Sequence, residues 1–176
     1  DILPQLRYNG FKLQIVRESW IFSEYIREYT GFFVCLCIFN FQKKWGIEMT
    51  ATLILENGAM FRGTAMGDPS ERVCEMVFNT SMAGYQEVLT DPSYAGQGIV
   101  MTYPLIGNYG VNKEDEESSH PWAEAFVVRR LCRRGSNFRC EGDLDSYLRE
   151  HHVTGLCDVD TRAITRMLRG QGTMNG

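Results

Sequence analysis

Residues 143–170 limit the possible folds more than any other stretch of the chain. Asp143 stands ahead of Leu144, Tyr147 and Leu148. A capping acid followed by apolar residues at i, i+3 and i+4 is the start and inner face of a helix. The run 153–159 follows and reads as a buried strand. Asp160 or Thr161 then caps a second helix, with Ile164, Met167 and Leu168 inside and Gly170 at its end. Helix, strand and helix in such short order need a sheet to cover, so the chain reads as a layered α/β domain.

Upstream the pattern is one of strands. Residues 52–55 alternate and carry β-branched side chains. Asn57-Gly58 suits a tight hairpin turn in which both central residues take positive φ, and 60–64 is the return strand. Residues 74–79 and 98–102 read as further strands. The second runs into a loop over 103–110, marked by Pro104, Gly107 and Gly110. A short apolar strand is expected over 124–128. No internal repeat or low-complexity tract is present.

Residues 1–48 are different material. They hold two of the three tryptophans and most of the phenylalanines, with no clean period of 3.6 or 2. Met49 opens a stretch that behaves like a protein start. The expected organisation is an irregular N-terminal extension over 1–48, upstream sequence read in frame, and a domain over 49–176. The alternative for the extension is a helical arm over 20–29 that docks on a partner. The apolar run 31–39 falls short of the roughly 20 residues a membrane helix needs. A net charge of −4 gives no global case for nucleic acid or an anionic membrane. The six cysteines form no Cys-x-x-Cys pair and have no zinc-ligand spacing to the three histidines. Reduced thiols and a cytoplasmic location are expected.

Four groups of residues are candidates for chemistry. The first is 79–94, polar in its middle and punctuated by Gly84 and Pro92, expected to be a loop of fixed shape. The second is Glu114-Asp115-Glu116-Glu117, where clustered carboxylates repel one another and favour a solvated loop or a basic partner. The third is Arg129, Arg130, Arg133 and Arg134. No aromatic residue is interleaved with them, which favours a surface patch or a salt-bridge site for a partner protein over RNA. The fourth is a nucleophile. Cys157 lies in an apolar strand and reads as an inert core residue. His151-His152 falls at a helix end, where the dipole favours a cation. No Gly-x-Cys-x-Gly or Gly-x-Ser-x-Gly elbow and no phosphate loop occurs.

Several blocks in a shared order carry a resemblance. They are Leu53-Ile54-Leu55-Glu56-Asn57-Gly58, the run 77–94, and Thr102-Tyr103-Pro104-Leu105-Ile106-Gly107-Asn108-Tyr109-Gly110. Further on stand Glu114-Asp115-Glu116-Glu117-Ser118-Ser119, Ser136-Asn137-Phe138-Arg139, Leu144-Asp145-Ser146-Tyr147-Leu148 and Asp158-Val159-Asp160-Thr161-Arg162-Ala163-Ile164-Thr165. Over 51–176 the chain resembles the small, glutamine amidotransferase subunit of carbamoyl phosphate synthase, in its N-terminal half. The resemblance implies a β/β/α domain that contacts a large, ATP-using subunit. It implies a glutaminase half with a Cys-His-Glu triad, absent from 1–176, which frees ammonia from glutamine. The large subunit joins that ammonia to bicarbonate with ATP, for pyrimidine and arginine synthesis. No cofactor is implied for this chain, ATP and metal being expected on the large subunit. One site residue carries over, Ser93 of Asp91-Pro92-Ser93-Tyr94, which helps bind glutamine across the domain boundary. Cys74 stands where the family has Gly, and the arginine group is richer than usual. The chain alone is expected to lack glutaminase activity. The alternative is a non-catalytic scaffold or remnant that occupies the large subunit.

Overall fold

The computed structural model describes residues 6–8, 11–13, 49–133 and 135–176. Strands β1 (Leu6–Tyr8) and β2 (Phe11–Leu13) pair antiparallel and belong to a unit of their own. Neither strand is among those expected from the sequence, although Asn9-Gly10 is a hairpin signal. The helical arm expected at 20–29, and the rest of the extension, lie outside the described residues.

The second unit is built on one seven-stranded sheet. Its strands are β3 (Thr50–Ile54), β4 (Met60–Gly67), β5 (Glu75–Asn79), β6 (Gln97–Met101), β7 (Ala125–Val127), β8 (Thr154–Cys157) and β9 (Met174–Asn175). The spatial order is β3-β4-β8-β7-β6-β5-β9. Strands β5, β6, β7 and β8 run parallel, while β4 joins β8, and β9 joins β5, antiparallel. Helix α1 (Tyr85–Thr90) links β5 to β6, α2 (Leu144–Glu150) links β7 to β8, and α3 (Thr161–Gln171) follows β8. The α/β class read from 143–170 is therefore the class found.

Strand alternation splits the apolar residues into two cores. Ile99, Met101, Phe126 and Val128 point to one face, under Tyr85 and Leu89 of α1 and Leu144 and Leu148 of α2. Val100, Val127 and Leu156 point to the other, under Ile164 and Leu168 of α3. The sheet curls around this second core until its two ends meet. The Glu56 N–H donates to the Asn175 carbonyl at 2.9 Å, and Gly176 exchanges backbone hydrogen bonds with Cys74. A cavity of about 30 Å³ remains inside the curl, beside Cys74, Met76 and Leu156. It is large enough to admit a water.

Local signals hold with two corrections. Asp143 accepts from the Ser146 N–H at 3.0 Å and Asp160 from the Ala163 N–H at 3.1 Å, as capping acids do. Helix α3, however, runs past Gly170 and stops at Gly172, whose φ of 90° ends it. Gly170 has open space around its α-carbon and remains helical. At the β3–β4 hairpin only Gly58 takes positive φ, at 83°. The Gly58 N–H donates to Leu55 C=O, so Glu56-Asn57 form the turn and Gly58 follows it as a bulge.

Cys157 is 3% exposed, in the first core. Burial, helped by the Asp158 carboxylate that accepts its S–H at 3.4 Å, pushes the thiol pKa up to about 12. The native state thus holds this proton longer than the unfolded chain, whose thiols titrate at about 8.5. Stability from this site is complete below that value and is lost as pH rises from there toward 12. The urea midpoint of the protein is expected to fall between pH 8.5 and 10, and Cys157→Ala should remove most of that slope. Tyr85, Tyr109 and Tyr147, raised by burial, add to the loss only above about pH 10.

Candidate functional site

The segment 79–94 leaves the carboxyl end of β5 and returns to the start of β6. The reading of the whole run as a loop is corrected by α1, which occupies its centre. Tyr85, Gln86, Leu89 and Thr90 are all buried, two of them polar, so hydrophobic period alone gave no helix. Their partners come from far along the chain. Gln86 accepts from the Asn112 N–H at 3.0 Å and donates to Glu116 at 3.3 Å. The Thr90 hydroxyl donates to the Gln86 carbonyl at 2.9 Å and accepts from the Glu117 N–H at 3.0 Å. Ser118 donates to the Thr90 carbonyl at 2.6 Å.

The acidic run therefore braces α1. Glu116 also accepts from the Tyr147 hydroxyl at 3.3 Å, and Asp115 accepts from Asn112 Nδ2 at 2.6 Å. Arg139 pairs with Glu114 and Asp115. Glu114 and Glu117 are exposed, as in a solvated loop, while Asn112, Tyr147 and Arg139 supply donors to Glu114, Asp115 and Glu116, which would otherwise repel one another. Among the described residues no group of three or more His, Cys, Asp or Glu side chains is placed to hold a metal ion.

Helix α1 has no side-chain cap of its own. The Tyr109 hydroxyl oxygen takes that place, accepting from the Gly84 and Tyr85 N–H groups at 2.7 and 3.1 Å. The Tyr85 ring stacks on the Tyr109 ring, centroids 4.2 Å apart, and its hydroxyl donates to the Gly110 carbonyl. At the other end, Asn79 Nδ2 donates to the Tyr94 hydroxyl at 3.0 Å, so the two ends of the segment are tied. One carboxylate oxygen of Glu87 is shielded from solvent and has no hydrogen-bond partner.

Ser93 lies in a single 3₁₀ turn, Pro92–Tyr94, and is exposed. Asp91 Oδ1 accepts from both the Ser93 N–H at 2.8 Å and the Ser93 hydroxyl at 2.5 Å. The hydroxyl contact, then the backbone one, holds the Asp91 carboxyl below its usual pKa. Ser93 precedes β6 by a short link, and Gln97 at the start of β6 pairs with Glu75, which also pairs with Asn175. The turn and Gly176 thus belong to the same end of the sheet.

The other candidates are dispersed. Arg129, Arg130 and Arg133 are exposed, and Arg134 is outside the described residues. His120 meets Ser119 and lies tilted against Trp122, and His151 lies tilted against Tyr147, while the Cys157 and Cys140 thiols donate to Asp158 and to the Gly142 carbonyl. His152 ends α2 with φ of 58°. No helix among the described residues is long and apolar enough to cross a membrane.

The family model for the carbamoyl-phosphate synthase small chain, CPSase domain, matches residues 53–176. A carbamoyl phosphate synthase small chain of Clostridium perfringens is 59% identical over 128 residues, 73% of this chain and 37% of that protein. One of Salmonella typhimurium is 53% identical over 127 residues, 72% of this chain and 33% of that protein. The pyrimidine-specific small chain of Bacillus subtilis is 48% identical over 128 residues, 73% of this chain and 35% of that protein. The chain thus spans about a third of the length of these relatives. With the model matched unbroken from the first strand of the curled sheet to its last, the chain belongs to the carbamoyl-phosphate synthase small chain family, in the part of it called the CPSase domain.

Proposed function

We propose that residues 49–176 serve as the N-terminal domain of a glutamine-dependent carbamoyl phosphate synthase small subunit. In this reading the domain docks the large, ATP-using subunit and walls one side of the glutamine site. The glutaminase half supplies the Cys-His-Glu triad, and its ammonia passes to the large subunit to meet bicarbonate and ATP. The observation that carries the reading is the Asp91–Ser93 turn, which presents one exposed, oriented hydroxyl at the end of the sheet where Gly176 also lies.

The chemistry of that hydroxyl is specific. Its proton is committed to Asp91, so its free lone pairs face outward. It is set to accept from a ligand N–H, and a ligand carboxylate would have to draw the proton away from Asp91. In a small subunit complete with its glutaminase half, Ser93→Ala is expected to raise the glutamine KM about 10- to 100-fold. That is the range for a lost hydrogen bond to a charged group. The kcat should stay within a few-fold, because Ser93 has no part in bond breaking here. Steady-state kinetics of glutamine hydrolysis checks this, and an unchanged KM removes Ser93 from the site. The chain alone is expected to show no glutamine turnover, and turnover by pure protein would overturn the division of labour.

A further inference from the structure

The glutamine-site reading gives a role to Ser93 and none to the charge that holds it. Asp91 uses one carboxylate oxygen for that task, since Oδ1 accepts from both the Ser93 N–H and the Ser93 hydroxyl. Its Oδ2 accepts no hydrogen bond from any described residue. The charge has no counter-ion among the described residues either, because the ion pairs of Arg72, Arg139 and Arg149 all go to other acids. The Ser93 hydroxyl and then its N–H hold the Asp91 carboxyl below its usual pKa, so it is ionised at neutral pH.

The turn that carries this charge is pinned on both sides. Upstream, Thr90 is buried, and its carbonyl accepts from Ser118 at 2.6 Å. Downstream, the Tyr94 hydroxyl accepts from Asn79 at 3.0 Å, and the Gly96 N–H donates to the Trp122 carbonyl at 3.3 Å. Oδ2 shares its carbon with the oxygen that holds Ser93. Two acceptors, Oδ2 and the outward lone pairs of the Ser93 oxygen, are thus within reach of a single ligand group, with one negative charge behind them. Such a pair is complementary to a cation that carries several N–H donors, and its fixed backbone lowers the cost of ordering on binding.

We infer that Asp91 is a second binding residue of the glutamine site and that, together with Ser93, it takes the α-ammonium group of the amino-acid ligand. The inference rests on the proposed function and says which end of glutamine this domain holds. The ligand has three polar ends. Its carboxylate would be repelled by Asp91, and its side-chain amide is neutral and is the end that reacts. The ammonium group alone offers both the charge and the donors.

The test uses a small subunit complete with its glutaminase half. Asp91→Asn keeps an oxygen for the Ser93 N–H, and so keeps the turn, but removes the charge. It is expected to raise the glutamine KM about 10- to 100-fold, the range for a lost hydrogen bond to a charged group, with kcat within a few-fold. Glutaramate, which is glutamine without its α-amino group, should inhibit the variant and the unmodified protein within threefold of each other. Asp91→Ser, which also accepts from the turn amide without a charge, should repeat the pattern. If both variants weaken glutaramate as much as glutamine, Asp91 only shapes the turn and the inference is overturned. A glutamine KM within threefold of the unmodified value in both variants overturns it as well. In either case a raised KM for Ser93→Ala leaves the reading of Ser93 standing. If Ser93→Ala is also without effect, that reading falls and the inference falls with it.

Discussion

Phe126→Ala is expected to lower the stability of the domain by about 3–5 kcal/mol, the usual cost of deleting a fully buried aromatic ring. Phe126 is 0% exposed and sits at the centre of β7, paired through its backbone with Ile99 and Gly155. Its ring joins the core that α1 and α2 cover, with Tyr85, Ile99, Met101 and Leu148. Strands on both sides hold the backbone in place, so the gap cannot close by local collapse. A domain of this size has a total stability of about 5–15 kcal/mol. The variant should therefore lie near its unfolding threshold at 37 °C. Urea unfolding followed by far-UV circular dichroism will read the shift, and a loss below about 1 kcal/mol would mean that this core is loosely packed.

Gly67→Ala should cost about 2–5 kcal/mol although it adds one methyl group at the end of β4. Two effects add. Gly67 has φ of 66°, where an alanine is strained by about 1–2 kcal/mol. The new Cβ would also stand 2.4 Å from the Val153 carbonyl oxygen and 2.8 Å from Leu148 Cβ. Overpacking of this kind adds about 1–3 kcal/mol. Neither neighbour is the free end of a flexible side chain. One belongs to the backbone entering β8 and the other to the inner face of α2. The same residue is clasped from α2, since its N–H donates to Asp145 at 2.7 Å and its carbonyl accepts from Arg149 at 3.4 Å. The expected result is a lower melting temperature together with faster hydrogen exchange in α2. A variant as stable as the parent would show that β4 and α2 can separate without cost.

What the sequence made legible was local. Helices α2 and α3 and strand β8 could be read because their capping acids and apolar positions lie within a few residues of each other. The same holds for the strand that leads into Asn57-Gly58. Helix α1 was hidden for the opposite reason. Its buried Gln86 and Thr90 look like loop residues until Asn112, Glu116, Glu117 and Ser118 are brought to them, about 30 positions later. The parallel order of β5 to β8 was not legible either, because strand registry is decided by partners far apart in the chain. Of the site, the Asp91-Pro92 turn was readable from turn chemistry alone. Ser93 as an expected ligand contact came only from the resemblance, and its hydroxyl contact with Asp91 Oδ1 is visible only in the fold.

The meeting of the sheet's two ends bears on how this protein behaves in a crowded solution. An open sheet offers a row of unpaired amides and carbonyls on each outer strand, and another copy of the chain can add to either row. Here β9 covers the free side of β5, and Asn175 in turn fastens to Glu56 at the tip of the β3–β4 hairpin. Met174 and Asn175 thus cover the start of β5, and Asn175 occupies one amide beyond the end of β3. Substitutions that loosen these few residues would expose strand edge that another copy of the chain could pair with.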